Sequence, residues 1–349
     1  MPDRAETDLP VTAAIVRAAL EAALQTDVEL RETSMAWVFL TEGQVFKMKR
    51  PVHRRFFDFS SLEARHHACD EEVRLNRRLA PGVYLGLSRL TRTGEGDLAL
   101  DGTGETVDWF VRMRRLLDAR FLDHALGLGT ATDEDIKAVA AALAGFHARA
   151  PVVRPTPQAY LDRYSEDIEG TRTAKTDGPF RQSADVFGRL LATLDAVPQH
   201  EPGLLLDRLE QGRVREGHGD LRPEHVWLGP PVLVIDCLEA ARVLRLLDPF
   251  EEYATLAMEC SVLGAGWVGP LLFGRVSETL DDRPGERLLA FYTAHRATLR
   301  ARQALAHLLS PSPRTPERWR PLADRYLAAA TQAVAILENR ATPQETRSS

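Results

Sequence analysis

The spacing of hydrophobic and polar positions divides the chain into a first section of strands with two helices and a later section of helices. Helical spacing predicts a helix at residues 11–25. A longer helix begins at the capping-box pair Ser60 and Glu63 and stops at Pro81. Short apolar runs predict strands at residues 37–40, 45–50, 84–90 and 108–113. The first section is therefore expected to be a small sheet with one long helix.

After about residue 118 the apolar residues recur at helical spacing. Asp133 is a good N-cap residue, and an apolar stripe from Ile136 to Phe146 follows it. Further helices are predicted at 158–170, 180–197, 248–265, 284–309 and 315–339. One hairpin interrupts this helical section, because two apolar runs at 226–228 and 232–235 flank a Gly-Pro-Pro turn.

Three acidic and imidazole side chains flank this hairpin. If Leu228 lies opposite Leu233, His225 and Asp236 come side by side at its open end, about 5 Å apart. Asp220 precedes the hairpin by one short loop. Carboxylates held close together raise each other's pKa unless a cation neutralises them. The sequence therefore predicts a divalent ion at this place.

Composition narrows the possible partners and compartment. The 349 residues carry a net charge of -6 and a pI near 6.0, which argues against nucleic acid as the main partner. The three cysteines are widely spaced, as expected of reduced thiols. Neither a leader segment nor an apolar run long enough for a membrane span occurs, so we expect a cytoplasmic protein without a membrane partner. The sequence carries no signal for an oligomeric state.

Charged side chains recur on the predicted strand and helix of the first section. Lys47 and Lys49 alternate with apolar residues, so both ammonium groups project from one strand face. Glu71 and Glu72 lie in the later half of the long helix. Lysines on a sheet, glutamates on a helix and a loop with Asp-x4-His before a second aspartate are the layout of a two-lobed kinase.

This layout predicts an α+β, two-lobed protein-kinase-like fold. Residues 1–115 would form the nucleotide-binding lobe, with a small antiparallel sheet and a helix. Residues 116–340 would form a larger, mainly helical lobe with the catalytic loop and the acceptor site. Residues 341–349 are polar and would form a frayed tail.

The chain also resembles a known family. HGDLRPEH at 218–225, with Ile235-Asp236 downstream, resembles the aminoglycoside phosphotransferase and choline kinase superfamily, whose usual form is H-G-D-x-x-x-x-N followed by I-D. The sequence is most similar to uncharacterised bacterial proteins in which this domain is often fused to a P-loop kinase. No Walker-type phosphate loop occurs in this chain. The resemblance covers residues 30–305 and includes Phe291-Tyr292 with Arg296 and Arg300.

The resemblance implies an ATP-dependent phosphotransferase that acts on a hydroxyl of a small-molecule acceptor, with Mg²⁺ or Mn²⁺. Asp220 would accept or orient the hydroxyl proton, and Asp236 would hold the metal ion. Lys49 would contact the phosphates and pair with Glu72, with Lys47 as the alternative lysine. The remaining nucleotide contacts would come from Ser34, at a phosphate, and from the hinge backbone between Met113 and Arg115, at the adenine.

One position departs from the family pattern. His225 stands where the family has asparagine, and imidazole suits Mn²⁺, Zn²⁺ or Fe²⁺ better than Mg²⁺. Two alternatives therefore stay open: a pseudokinase that binds nucleotide without turnover, and a metal-dependent hydrolase that uses His218 with Asp220, His225 and Asp236. His218 is expected to be structural. Arg296 and Arg300 are expected to lie on a solvated helix face, with binding of an anionic substrate as the alternative.

Overall fold

A computed structural model describes residues 11–54, 57–174, 178–310 and 313–339. The chain forms two compact units. The first runs up to Phe121 and also includes His225–Val243, whereas the second consists of Leu122–Glu224 and the chain from Leu244 onward. The hairpin segment, which we expected in the helical lobe, thus groups with the N-terminal sheet. The predicted frayed tail, 341–349, lies outside the described residues.

The first unit contains a six-stranded antiparallel sheet with the order β1-β2-β3-β8-β6-β7. Its strands are β1 (Glu29–Glu32), β2 (Ala36–Leu40), β3 (Gln44–Lys49), β6 (Tyr84–Arg92), β7 (Leu98–Leu100) and β8 (Glu105–Arg114), and a separate two-stranded ribbon is formed by β4 (His53–Arg54) and β5 (Phe57–Asp58). The predicted strands are present, and β1 and β7 extend the sheet at its two edges.

Helices cover both faces of this sheet. Helix α1 (Ala13–Leu24) packs Val16 and Leu20 against Phe46 and Phe110, in a cluster of fully buried side chains. Helix α2 (Leu62–Asn76) packs on the other face, where its residues contact Val111. Each fully buried side chain of this size contributes about 2 kcal/mol. Alternate residues of β3 therefore face opposite helices, and the lysines share the α2 side.

Helix α2 begins one residue later than the sequence indicated. Ser61 is the N-cap, and its side-chain oxygen accepts the backbone N–H of Ala64 at 3.1 Å. The Ser60 hydroxyl instead donates to Asp58 at 2.6 Å. The prediction of Ser60 as the cap is therefore wrong by one position, because two adjacent serines offer the same capping oxygen.

The hairpin of the first unit consists of β10 (Val226–Trp227) and β11 (Leu233–Val234). Val226 pairs with Val234 and Trp227 with Leu233, so the ladder is displaced by one residue from the predicted register. Strands of two residues specify their register weakly. The turn between them is tight, because a Cβ at Gly229 would lie 2.0 Å from the Trp227 ring. The hairpin is confirmed and its register is corrected.

The second unit is mainly helical. Its helices are α3 (Leu122–Gly127), α4 (Asp133–Arg149), α5 (Pro157–Ala174), α6 (Ala184–His200), α7 (Gly203–Glu210), α8 (Pro249–Val262), α9 (Val268–Leu280), α10 (Glu286–Ala306) and α11 (Pro316–Glu338), and one short ribbon is formed by β9 (Arg215–Glu216) and β12 (Leu246–Leu247). Thr132, not Asp133, caps α4, in a capping box with Asp135. Helices α3, α7 and α9 were not predicted. In the described ranges no helix is long and apolar enough to span a membrane.

Candidate active site

A lysine of β3 joins helix α2 to the loop that follows the hairpin. The Lys47 ammonium donates to Glu72 Oε1 at 2.9 Å and to Asp236 Oδ1 at 2.5 Å. The Lys47 side chain is 15% exposed, Glu72 is fully buried, and Asp236 is 43% exposed. This chain of ion pairs thus runs from the interior of the first unit to a solvent-accessible carboxylate.

The second lysine of the same strand face makes a deeper pair of contacts. Lys49 donates to Glu72 Oε2 and to Glu239 Oε1. Its ammonium also lies 5.4 Å from the centre of the Phe59 ring. Only 3% of the Lys49 side chain and 9% of the Glu239 side chain are exposed. Each oxygen of Glu72 therefore holds a different lysine.

The electrostatics of these groups favour their charged forms. Burial alone would lower the pKa of Lys47, but Asp236 and Glu72 outweigh it and hold that pKa well above its ordinary value. Burial alone would raise the pKa of Asp236, but Lys47 and His225 hold it below its ordinary range. The pKa of Glu72 is likewise lowered, because Lys47 and Lys49 outweigh the effect of burial. The carboxylates therefore stay ionised at neutral pH.

His225 lies beside Asp236, as the sequence predicted, although the register differs. The Nε2 atom of His225 is 3.6 Å from Oδ2 of Asp236, and the Ile235 N–H donates to the His225 carbonyl at 2.9 Å. Asp236 lies two residues beyond β11 and has a left-handed backbone with φ of 61°. The two side chains therefore meet outside the two-residue ladder, where the one-residue shift does not separate them.

Backbone hydrogen bonds fix the loop that carries Asp236. The Asp236 N–H donates to the Tyr84 hydroxyl at 3.1 Å, and the Cys237 N–H donates to Asn76 Oδ1 at 2.8 Å. The Asn76 amide in turn donates to the Glu72 carbonyl at 2.8 Å. The loop is thus anchored to the same helix turn that presents Glu72.

The predicted nucleotide contacts occupy two other places in the first unit. Ser34 lies exposed in the turn between β1 and β2. Met113 lies near the end of β8, largely buried and paired with Val45. The Arg115 N–H donates to the Gly43 carbonyl at 2.9 Å. That N–H is therefore already used within the protein.

Asp220 belongs to the second unit and lies on the loop between β9 and the hairpin. Its Oδ2 is 3.1 Å from Arg222 Nε, and its side chain is 36% exposed. Arg222 also pairs with Glu224 at 2.8 Å. The loop therefore presents an accessible carboxylate whose charge is partly balanced by a neighbouring guanidinium.

A buried glutamate of α8 holds this loop in place. Glu252 Oε1 accepts the backbone N–H groups of His218 at 2.7 Å and Gly219 at 2.5 Å. Its Oε2 lies 2.9 Å from His147 Nε2. A Cβ at Gly217 would lie 2.7 Å from Glu252, so the approach requires glycine there. His218 itself is fully buried, and its Nδ1 accepts the Asp220 N–H at 3.4 Å.

The arginines of α10 are not solvated, contrary to the prediction. Arg296 Nη2 pairs with Glu251 Oε1 at 2.6 Å, and Arg300 Nε pairs with Glu259 Oε1 at 2.6 Å. Their side chains are 14% and 18% exposed. Two glutamates of α8 therefore balance these guanidinium groups, which leaves less charge for an anionic substrate.

The roles of Glu239 and Glu252 were not predicted from the sequence. Both have a signal in the sequence, because a charged residue within an otherwise apolar segment needs a partner if it is buried. Helix α8 is apolar on nearly every side, yet it contains Glu251 and Glu252 in succession. Glu239 follows Asp236 by three residues, directly after Cys237-Leu238.

Similar proteins were found by sequence. Uncharacterised proteins of Mycobacterium tuberculosis and Mycobacterium bovis are each 32% identical to the chain over 282 residues. The match covers 79% of this chain and 54% of each relative, so the chain spans about half the length of the curated relatives it matches. No protein-family model matches the chain.

Solved structures are similar over nearly the whole chain. An aminoglycoside phosphotransferase bound to AMP-PNP and hygromycin B aligns with a TM-score of 0.56 at 12% identity, over 94% of this chain and 100% of that one. A spectinomycin phosphotransferase bound to ADP and spectinomycin aligns at 0.53 and 12% identity, over 93% and 99%. A choline kinase of Cryptosporidium parvum aligns at 0.54 and 12% identity, over 93% and 96%. The chain therefore has the protein-kinase-like fold of the aminoglycoside phosphotransferases and choline kinases, as predicted from its sequence.

Proposed function

We propose that the protein transfers the terminal phosphate of ATP to a hydroxyl group of a small molecule. The observation that carries the proposal is the contact of Lys47 with both Glu72 and Asp236, at 2.9 and 2.5 Å. In protein kinases, phosphoryl transfer uses a strand lysine that a helix glutamate holds at the phosphates, and a carboxylate for the metal ion. The nucleotides named for the structural neighbours support the same interpretation.

Each residue then has a role that its environment supports. Lys47, which is the more exposed of the two lysines, binds the phosphates, and Glu72 holds it in position. Asp220, with its accessible carboxylate, accepts or orients the proton of the attacking hydroxyl. Of the two lysines left open by the sequence, we therefore assign the phosphate contact to Lys47.

The residues beside Lys47 fit a divalent ion that arrives with the nucleotide. The described residues contain no group of three or more His, Cys, Asp or Glu side chains that could hold a metal ion. Mg²⁺ at phosphoryl-transfer sites takes one or two carboxylates and completes its shell with phosphate and water oxygens. Asp236 supplies such a carboxylate, ionised and 43% exposed, with His225 as a neighbouring nitrogen donor. The ion would neutralise charge on the phosphates.

The nucleotide would make two further contacts in the first unit. Ser34, exposed in the β1–β2 turn, can donate to a phosphate oxygen. The adenine would meet the backbone after Met113. The Arg115 N–H already donates to the Gly43 carbonyl. We therefore assign the adenine contact to other backbone groups near Arg115.

ATP turnover by purified protein tests the proposal. The acceptor panel starts from choline, ethanolamine, spectinomycin and hygromycin B, which are named for structural neighbours. Lys47→Met, Asp220→Asn and Asp236→Ala are each expected to lower ATP consumption by about 100-fold or more, since each removes a charge from the reacting groups. Lys137→Met and Asp97→Asn, at exposed positions, should leave it unchanged. Turnover that survives all three site variants would refute the assignment.

A nucleotide-binding protein without turnover is the second candidate, and the position of His225 favours it. An imidazole 3.6 Å from Asp236 replaces the amide oxygen that Mg²⁺ prefers. Binding of AMP-PNP with Mg²⁺ or Mn²⁺, without consumption of ATP by any acceptor, would support this candidate. The metal hydrolase gains no support from the described residues, because they lack a set of three or more such ligands.

A further inference from the structure

Two lysines share one carboxylate in the first unit, although one lysine is enough for a phosphate contact. Glu72 Oε1 binds Lys47 and Glu72 Oε2 binds Lys49. Lys47 continues to Asp236, and Lys49 continues to Glu239. Two parallel chains of ion pairs therefore start at Glu72 and end three residues apart on the same loop.

The two chains differ in depth. Lys47 is 15% exposed and its partner Asp236 is 43% exposed, whereas the corresponding values for Lys49 and Glu239 are 3% and 9%. The Phe59 ring covers the Lys49 ammonium at 5.4 Å. A nucleotide phosphate could replace the partners of the first chain, but the second chain is closed to a ligand of that size.

Removal of Lys47 from Glu72 would be costly if nothing else balanced that carboxylate. Glu72 is fully buried, and a buried charge that loses its partner is strongly destabilising. Lys49 supplies a second counter-charge that does not depend on the ligand. Glu239, in turn, balances Lys49 and ties it to the loop that begins at Asp236.

We infer that Lys49 and Glu239 are positioning residues: they hold Glu72 and the Asp236 loop in place independently of Lys47, which is thereby free to exchange its partners. The inference rests on the proposed function for its ligand, but its central claim concerns the free protein. The two lysines are therefore expected to respond differently to substitution of their neighbours. Loss of Lys47 leaves Lys49 protected. Loss of Glu239 releases Lys47, because it loosens the loop of Asp236, whereas loss of Lys49 holds Lys47 more tightly, because the buried Glu72 then depends on Lys47.

Reductive methylation of the native full-length chain tests this difference. Mass spectrometry measures the rate at which each lysine reacts. In the wild type, Lys47 is expected to react about tenfold faster than Lys49, because local openings expose the shallower group more often. Lys47→Met should leave the Lys49 rate unchanged. Glu239→Gln should raise the Lys47 rate several-fold, whereas Lys49→Met should lower it, because the buried Glu72 loses its second counter-charge. The exposed Lys137 should react at one rate in every variant.

Two further measurements separate failure of the inference from misfolding of a variant and from failure of the proposed function. If Glu239→Gln does not fold, Glu239→Asp keeps the charge with a shorter side chain and should raise the Lys49 rate in a folded protein. AMP-PNP with Mn²⁺ should slow the reaction of Lys47 and leave Lys49 unchanged; no slowing of either would count against the proposed function alone. Lys49 reacting as fast as Lys47, or Lys47→Met releasing Lys49, would overturn the inference.

Discussion

At the scale of single residues, two lysines that the sequence makes equivalent differ in how deeply their side chains are buried. Lys47 and Lys49 are two positions apart on β3, so they share a strand face and both reach Glu72. Alternation along a strand fixes the face of a side chain but not its distance from solvent. The partners set the exposure of each lysine, because the Glu239 side chain is 9% exposed and the Asp236 side chain is 43% exposed.

His225 offers the sharpest test at this scale. Its imidazole lies 3.6 Å from the Asp236 carboxylate, where an oxygen donor would favour Mg²⁺. We expect the wild type to use Mn²⁺ better than Mg²⁺ in nucleotide binding or turnover. His225→Asn should reverse this preference, with a change in the Mn²⁺ to Mg²⁺ ratio of about tenfold, equivalent to about 1.4 kcal/mol. Titration of AMP-PNP affinity against each metal ion measures it.

The matched control for this variant is His200→Asn, an exposed histidine at the end of α6. It should leave both affinities unchanged. Equal use of the two metal ions by the wild type, with no change in His225→Asn, would show that the imidazole does not contact the ion.

At the scale of secondary structure elements, the sequence predicted the main strands and helices but not how the hairpin is registered. Apolar runs and a Gly-Pro-Pro turn locate β10 and β11, yet two-residue strands leave the register to contacts that alternation does not encode. Here the chain bends tightly against the Trp227 ring at Gly229, and the register lies one residue from the predicted one. His225 and Asp236 came together as predicted although the register differs, because both lie outside the ladder.

Short helices were missed for a related reason. Helix α7 has eight residues and α3 has six, so neither repeats its apolar pattern often enough to be recognised. The roles of buried charges were also hidden from the sequence. The apolar neighbours of Glu252 indicate burial, but only the fold places its carboxylate under the backbone of the Asp220 loop.

Glu252 gives a prediction at this scale. It accepts two loop N–H groups through one oxygen and contacts His147 through the other. Burial alone would raise the pKa of Glu252, but His147 and the Gly219 N–H help to lower it, so the carboxylate is ionised at neutral pH. Glu252→Gln keeps the shape and one oxygen for the two N–H groups, but it removes the negative charge and places an N–H donor against His147. We expect it to lower the free energy of unfolding by about 1–3 kcal/mol and turnover by about 100-fold, through displacement of Asp220.

Urea unfolding and ATP turnover measure the two effects of this variant. Glu278→Gln, at an exposed position on α9, is the control and should change neither. An unfolding midpoint and a turnover equal to those of the wild type would show that the loop keeps its position without this carboxylate.

At the scale of the whole molecule, the chain is not divided at one point. The first unit takes His225–Val243 from the middle of the second, so the chain passes between the units after Phe121, Glu224 and Val243. A single boundary near residue 115 was the natural prediction, because the change from strands to helices occurs there. The sequence pattern shows where strands give way to helices along the chain. It does not show that residues 225–243 return to the first unit, because they do so through long-range contacts such as those of Leu233 and Asp236.

This division predicts how the first unit can be isolated. Residues 11–121 alone would leave Lys47 without Asp236 and Lys49 without Glu239, and would uncover the core around Val111 and Tyr84. We expect this fragment to lack cooperative unfolding.

Trp227 pairs with Phe121, so a Gly/Ser linker of about four residues, each adding a few ångströms, can join Phe121 to residues 225–243. The joined fragment is expected to unfold cooperatively in urea, whereas the same joined fragment with a scrambled 225–243 sequence should behave like residues 11–121. Cooperative unfolding of all three would show that the inserted segment is dispensable for the first unit.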